Sequence, residues 1–309
     1  MKKLQKINIK NWVLVNGKTI PITPLFYEVF GQELGTAPIV LVNHALTGNS
    51  SVSGDEGWWR DLIGENKTID TEFFTVLAFN IPGNGYDDEY DNLIFNYKEF
   101  TARDIASIFW KGLQALQIEA LFALIGGSLG GGIAWEMAAL EPNKITHLIP
   151  IATDWKATDW VIANVLVQDQ ILNNSDDPIV DARLHAMLLY RTPQSLQRKF
   201  QRNKTDIKTI FQIEKWLIGH GFKLQNRFRL ASYKLMNHLL KTVDLTRGNH
   251  DFSTIAKSIQ ASIHIIAVDS DLFFIAAENK ETYDELNRVK SNVFYHEIQS
   301  NPFTVTMHS

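Results

Sequence analysis

The sequence predicts a mostly parallel α/β fold with a helical segment inserted between two of its later strands. Short apolar runs rich in β-branched and aromatic residues alternate with helix-like stretches, a pattern typical of a parallel sheet covered on both faces. The predicted strands are 38–45, 74–80, 121–127, 145–153, 263–270 and 292–299. Near the start, an Asn16-Gly17 pair between two alternating stretches predicts an antiparallel hairpin.

Between about 155 and 250, helical periodicity replaces the strand pattern. Helices are predicted within 160–173, 181–191, 195–202 and 228–245. The predicted organisation is a core formed by 1–154 and 251–309, with a helical insertion at 155–250. Such insertions commonly form a lid over an active site. A packing subdomain without function is the alternative.

Composition excludes several classes of function. The chain has 309 residues and a net charge of −4, so it has no overall basic excess for binding nucleic acid. No apolar run is long enough for a signal peptide or a membrane span. The absence of cysteine excludes disulfides, thiolate catalysis and thiolate metal sites, and it fits a cytoplasmic protein. We expect neither a metal nor a bound cofactor.

A glycine-rich turn is the strongest local sign of catalytic chemistry. Gly126-Gly127-Ser128-Leu129-Gly130 is a G-x-S-x-G pattern that follows an apolar strand and begins an amphipathic helix. In this context a nucleophilic serine lies on a sharp turn, and its neighbours must be small because bulky ones clash with the adjacent strand or helix. Ser128 is therefore the predicted nucleophile of an α/β-hydrolase fold. The alternative is a bystander serine in a glycine-rich turn.

The oxyanion of a serine-catalysed reaction needs backbone N–H donors. The predicted donors belong to Leu129, directly after the serine, and to Leu46, in the loop after the first parallel strand. His44 in the same loop comes too early for the chain order serine, acid, histidine. We interpret His44 as a residue that shapes the loop.

The acid of a serine triad is expected just after a later strand. Asp271 lies beyond the end of the strand at 263–270 and is the predicted acid. Asp269 is assigned to turn chemistry, because aspartate side chains readily bond nearby backbone. The histidine is expected after the strand at 292–299, in the last residues of the sequence.

Several motifs together make the chain resemble the homoserine O-acetyltransferases, a family of the α/β-hydrolase superfamily. In the family's order they are VNHALTGNS, GWWRDLIGENKTIDTEFF, FNIPGNGYD, IGGSLGGGIAWEMA, ARLHAMLLYR, KWLIGHGFKLQNRF, ASYKL and DSDLFF. The resemblance implies transfer of an acetyl group from acetyl-CoA to the hydroxyl of L-homoserine through an acyl-serine, in methionine biosynthesis. It also implies a homodimer packed through the lid.

The resemblance assigns the nucleophile, the acid and the oxyanion donors to the residues named above. It further implies that Arg183 and Tyr190 hold homoserine and that Thr47 lines the pocket. The spacing of Arg183 and Tyr190 places both on one helix face, and the planar fork of arginine suits a carboxylate. Without the resemblance, a solvated helix charge is the simpler interpretation of Arg183.

Two segments depart from the family. FNIPGNGYDDEYDN replaces a segment of small residues that ends in Gly-Cys, which leaves open acetyl or succinyl as the donor group and homoserine or serine as the acceptor. After its last strand the family continues with Gly-His-Asp-Ala-Phe, whose histidine is the catalytic base. This sequence has Thr304 at that place, and its tail histidine, His308, comes four residues later.

The tail predicts a shifted reading frame. Codons compatible with Pro302 to Ser309, read from the last base of the proline codon, spell Ile-His-Gly-His-Asp-Ala-Phe. We therefore predict a frameshift near Ser300, in the gene or in its sequencing. The chain as written would lack the triad histidine, which typically costs several orders of magnitude in rate. It would also lack the last helix of the family, which exposes apolar surface.

Two other functions remain compatible with the sequence. An esterase that uses water as its acceptor would share the same serine chemistry. A catalytically inactive relic kept for partner binding would form no acyl-serine on Ser128, even with a repaired tail.

Overall fold

The computed structural model describes residues 4–207, 209–247 and 251–300, which form an eight-stranded sheet flanked by helices. The strands are β1 Gln5–Val13, β2 Thr19–Gly31, β3 Ile39–Asn43, β4 Ile63–Gly64, β5 Ile69–Asp70, β6 Thr75–Phe79, β7 Leu121–Gly127, β8 Ile145–Ile151, β9 Ser262–Val268 and β10 Val293–Ile298. The helices are α1 Ala102–Ala115, α2 Leu129–Leu140, α3 Asp159–Asn174, α4 Pro178–Leu189, α5 Pro193–Phe200, α6 Gln212–Gln225, α7 Leu230–Leu240, α8 Phe252–Ser258 and α9 Ala276–Asn287. The tail residues Thr304 and His308 lie outside the described residues.

The sheet has the order β1-β2-β6-β3-β7-β8-β9-β10. The β1–β2 hairpin is antiparallel, as predicted, and Gly17 adopts a φ of +85° in its turn. β2 pairs with β6 in the antiparallel sense, and all later pairs are parallel. The chain crosses from β3 outward to β6 and then returns to β7 on the other side of β3. Ligands of such sheets bind at this switch point, beyond the carboxyl ends of the strands.

Both faces of the central strands are buried. One apolar cluster lies between the sheet and helices α1 and α2, and it includes Trp12, Phe109 and Trp135. A second cluster, which includes Val52 and Ile63, packs the segment between β3 and β6 on the opposite face. The sheet is therefore a rigid support for the loops at its carboxyl edge.

The predicted helical insertion lies between β8 and β9. Its two ends meet, since the Ala157 N–H donates to the Val243 carbonyl at 2.8 Å and the Leu245 N–H to the Trp155 carbonyl at 3.3 Å. The sequence-based prediction did not separate α6 as a helix, because Gly219 and Gly221 weaken its helical pattern. A Cβ on Gly221 would lie 2.6 Å from Val180 Cγ1, so this glycine permits the close packing of α6 on α4.

One face of strands β7 to β10 carries a row of exposed or half-buried rings, here called the open face: Phe122, His147, His264, Phe294 and His296. Neighbouring rings are in contact, with centroids 5.1 Å apart for Phe122 and His147 and 4.8 Å apart for His264 and Phe294. Phe122 and Phe294 are 40% and 44% exposed. Within the described ranges, no helix has the length and apolar character needed to cross a membrane.

Candidate active site

Ser128 lies between β7 and α2 in a strained turn. Its φ and ψ are 53° and −123°, a conformation that favours glycine over residues with a Cβ. Two bonds hold the turn: the Ser128 N–H donates to the Ile151 carbonyl at 2.9 Å, and the Ser128 carbonyl accepts from the Gly131 N–H at 2.9 Å. Strain of this kind persists only where the surrounding structure imposes it, as the nucleophile turn of this fold does.

The glycines beside Ser128 are needed for close packing. A Cβ on Gly130 would lie 2.3 Å from the Asn43 carbonyl oxygen at the end of β3. A Cβ on Gly126 would lie 2.3 Å from the Gly130 carbonyl oxygen. The start of α2 is thus pressed against the loop after β3, which brings the two predicted oxyanion segments together.

The two predicted oxyanion donors occupy different positions around Ser128. Leu129 is the first residue of α2, so its N–H belongs to the first turn, where N–H groups have no partner within the helix. The dipole of α2 adds partial positive charge at the same point. Leu46, in the loop after β3, lines the cavity that contains Ser128.

The cavity at Ser128 has a volume of about 300 Å³. Five of the residues predicted for the site line it, namely Leu46, Thr47, Ser128, Arg183 and Tyr190. Glu56, Trp58 and Arg227 also line it, and the sequence analysis did not assign them to the site. Arg227 stands within a motif that carries the family resemblance, but nothing local in the sequence indicated that it would reach the loop after β3.

Positive charge and one phenol line the side of the cavity that the helical insertion forms. Arg183 is 5% exposed, and its Cζ lies 5.6 Å from the centre of the ring of Tyr190, the residue directly after α4. Burial raises the pKa of Tyr190, the charge of Arg183 opposes this, and Asp271 adds to it. Nη1 of Arg227 donates to the Thr47 carbonyl at 2.8 Å and so joins the helical insertion to the loop after β3.

Asp271 lies beyond the carboxyl end of β9 and is 3% exposed. Its Oδ1 accepts from the N–H groups of Phe273 and Phe274 at 2.8 and 3.1 Å, which fixes the carboxylate. Its negative charge helps to raise the pKa of Tyr190. Asp269 joins the ends of β9 and β10 instead of closing a local turn by this bond, because its Oδ1 accepts from the Ser300 N–H at 2.9 Å, 31 positions later.

His44 has the structural role inferred from the chain order. Its Nδ1–H donates to the Ala45 carbonyl at 2.8 Å, and its Nε2 accepts from the Ile81 N–H at 3.0 Å. Burial lowers the pKa of His44 to about 4, although the bond to Ala45 opposes this. The imidazole is therefore neutral at pH 7, and both of its nitrogens are occupied in holding the loop.

Over the described residues, no histidine lines the Ser128 cavity. His185 bonds Gln168 at 2.9 Å, and His238 packs against Tyr97 with ring centroids 5.6 Å apart. His147, His264 and His296 belong to the open face, and His220 packs against Trp216. The described part of the chain thus holds a serine, an acid and a charged pocket, but its histidines have other positions.

Comparisons with known proteins agree with this architecture. The model of the alpha/beta hydrolase fold family matches residues 38–299. Homoserine O-acetyltransferase of Salinibacter ruber is 28% identical, over 91% of this chain and 88% of the relative. Homoserine O-acetyltransferase of Pelagibacter ubique is 30% identical, over 95% of this chain and 91% of the relative. The crystal structure of homoserine O-acetyltransferase from Bacillus anthracis has a TM-score of 0.85 at 20% identity, over 97% of this chain and 92% of that one.

The sheet order, the strained serine turn and the family match define an α/β hydrolase. Within that superfamily, the relatives that match nearly the whole chain identify the family to which it belongs. The chain belongs to the homoserine O-acetyltransferase family, and it is an enzyme of this kind.

Proposed function

We propose that the protein transfers an acetyl group from acetyl-CoA to the hydroxyl of L-homoserine through an acyl-enzyme on Ser128. The observation that carries this proposal is a strained serine that faces a cavity shared with a buried arginine and a tyrosine. The family relationship supports the acceptor, because the similar proteins are named for homoserine acetylation. Acetyl-CoA acts as a co-substrate, and no bound cofactor is part of the proposal.

The proposed reaction has two steps. Ser128 Oγ loses its proton to a base and attacks the thioester carbonyl, and the N–H groups of Leu46 and Leu129 stabilise the oxyanion. The carbon–sulfur bond breaks, CoA leaves as a thiol, and acetyl-serine remains. The homoserine hydroxyl then gives its proton to the base and attacks this ester, which releases O-acetylhomoserine and restores Ser128.

The lid side of the cavity is the proposed acceptor site. The guanidinium of Arg183 would bind the homoserine carboxylate through two parallel hydrogen bonds, and Tyr190 lies against the same guanidinium. Thr47 lies on the opposite wall. A charged amino-acid acceptor uses this arrangement, whereas water would leave Arg183 without a function.

Formation of the acyl-enzyme is tested by intact mass after incubation with acetyl-CoA. We expect a gain of one acetyl group that disappears in Ser128→Ala and decays faster when homoserine is added. Because the chain contains no cysteine, a thiol reagent reports the released CoA without background from the protein. Loss of the acetyl group at the same rate with and without homoserine would identify water as the acceptor.

The base of the proposed mechanism comes from the segment after β10. The Ser300 N–H donates to Asp269, which precedes the proposed acid Asp271 by two residues in the sequence. This segment therefore begins near the proposed acid. The first test is the nucleotide sequence from the codon of Gln299 onward. An open second frame encoding Ile-His-Gly-His-Asp-Ala-Phe supports the frameshift, and the chain extended in that frame should then be several orders of magnitude faster. A closed second frame contradicts the frameshift.

A homodimer through the lid is also part of the proposal. Ile162 and Leu166 on α3 are 42% and 57% exposed, one helical turn apart. Ile218 and Phe222 on α6 repeat this spacing with exposures of 43% and 48%. Apolar stripes of this kind mark contact surfaces. Sedimentation should show a dimer that Leu166→Glu converts to a monomer, and a wild-type monomer would contradict the assignment.

A further inference from the structure

The lid concentrates positive charge in one segment. From Arg183 to Lys234 the sequence contains twelve Arg and Lys residues and two Asp and Glu residues, a net of +10 in a chain whose overall net charge is −4. The low overall charge hides this asymmetry. A concentration of one sign of charge near a cavity attracts ligands of the opposite sign.

Part of this charge forms a cationic cluster, defined here as Arg183, Arg191, Lys199, His220 and Lys223. Lys223 follows His220 by about one turn of α6. Burial lowers the pKa of His220, and the positive charges of the other four groups lower it further. The Trp216 ring is at the centre of the arrangement. The Arg191 Cζ is 5.3 Å and the Lys199 Nζ 5.1 Å from its centroid, and the His220 ring is 4.5 Å away.

The cluster has few internal partners. Arg191 is 8% exposed, and its Nε is buried without a hydrogen-bond partner in the described part of the chain. Among the same residues, none of Arg191, Lys199 and Lys223 forms an ion pair with a carboxylate. A group of mutually repelling cations that includes a buried guanidinium destabilises the folded protein unless an anion binds there.

The cluster is continuous with the active site. Arg183 lines the Ser128 cavity, and its helix α4 packs against α6, which carries His220, where Gly221 meets Val180 and Leu184. A ligand with its reacting group at Ser128 and its anionic end at Arg191 would therefore lie along the lid. Arginine and lysine together fit phosphate, because the guanidinium offers paired donors and the ammonium a compact charge.

We propose that Arg191, Lys199 and Lys223 of the cationic cluster bind the phosphate groups of the acyl donor, a nucleotide coenzyme thioester, while the acyl end of the donor reaches Ser128. This inference rests on the proposed function, and it assigns the recognition of the donor to α5, to α6 and to the connection between α4 and α5, which contains Arg191. Lys199 and Arg191 are its main contacts, and Trp216 holds both cations in place.

Calorimetric titration with adenosine 3′,5′-bisphosphate tests binding without requiring turnover. We expect Lys199→Gln and Arg191→Gln each to weaken binding by about tenfold, the effect of losing one charge-assisted contact. Arg191→Lys, which keeps the charge but loses the planar fork, should weaken binding less. Lys241→Gln is the matched control, because this exposed lid lysine lies outside the cluster. Binding should weaken as salt is added.

Three outcomes would overturn the inference. They are wild-type protein that does not bind the bisphosphate, a Lys199→Gln variant that binds as tightly as wild type, and inorganic phosphate that binds as tightly as the bisphosphate. The exposed Lys199 keeps the test valid if Arg191→Gln fails to fold.

Acylation of Ser128 by two donors separates this inference from the proposed function. S-Acetylpantetheine lacks the phosphates, so it should need a higher concentration than acetyl-CoA, and its reaction should not respond to Lys199→Gln. If both donors acylate wild type equally well, the phosphate site is wrong and the acyl-serine stands. If neither donor acylates Ser128 in the chain extended in the second frame while the bisphosphate binds, the proposed reaction fails and the phosphate site stands.

Discussion

Replacing Ser128 by glycine should make the protein more stable, because the backbone there is strained. A φ of 53° with a ψ of −123° is a glycine-type conformation. A residue with a Cβ in such a region costs on the order of 1–3 kcal/mol. Glycine in turn costs roughly 0.5–1 kcal/mol through the greater freedom of the unfolded chain. The expected net gain in the free energy of unfolding is about 0.5–2 kcal/mol.

Ser128→Ala is the matched comparison. It also removes the hydroxyl, but it keeps the Cβ and therefore the strain, so its stability should stay within about 0.5 kcal/mol of wild type. Denaturant unfolding of the three proteins at one pH measures the difference, and thermal unfolding should show a higher midpoint for Ser128→Gly. A glycine variant no more stable than the alanine variant would refute the claim that the fold imposes strain at this position.

Three further changes test the surroundings of the site. Gly130→Ala places a Cβ 2.3 Å from the Asn43 carbonyl oxygen, so unfolding measurements should show a loss of stability of about 1–3 kcal/mol. Gly219→Ala in α6 is the control, because its new Cβ would have no atom within 4 Å, and it should be neutral or stabilising. Burial raises the pKa of Asp154 from 3.8 to about 7, so the folded protein loses stability as the pH rises through that range. The free energy of unfolding of Asp154→Asn should therefore exceed that of wild type by up to about 4 kcal/mol at pH 8 and by little near pH 4. Burial lowers the pKa of His238 to about 4, so the folded protein loses stability as the pH falls from 6.5. His238→Gln should therefore lose less stability than wild type between pH 6.5 and 4. Parallel curves of unfolding free energy against pH for the two proteins would contradict this.

The central sheet and the serine turn could be predicted because their signals are local. The six predicted parallel-sheet strands are present with small differences in their ends, and the G-x-S-x-G turn holds Ser128 as expected. Apolar runs, glycine spacing and chain order determine these features within a few residues. The short pair β4 and β5 was not predicted, because two-residue strands carry no periodicity.

The walls of the cavity depend on contacts between distant parts of the chain. Arg227 bonds Thr47 across 180 positions, and no local pattern around either residue indicates the other. The cationic cluster was missed for a different reason. Its charges come from α4, the connection between α4 and α5, α5 and α6, and the acidic remainder of the chain cancels them in the overall net charge.

The position of the general base follows from where β10 ends. β10 is parallel to β9, so both strands finish at the same edge of the sheet, and Asp271 lies just beyond that edge. The bond from Ser300 to Asp269 joins the ends of these two strands, and the N–H groups of Phe273 and Phe274 hold the Asp271 carboxylate near them. Under the proposed mechanism the residues encoded after Ser300 supply the base, whereas the strained turn of Ser128 and its cavity beside Arg183 and Tyr190 lie within the described residues.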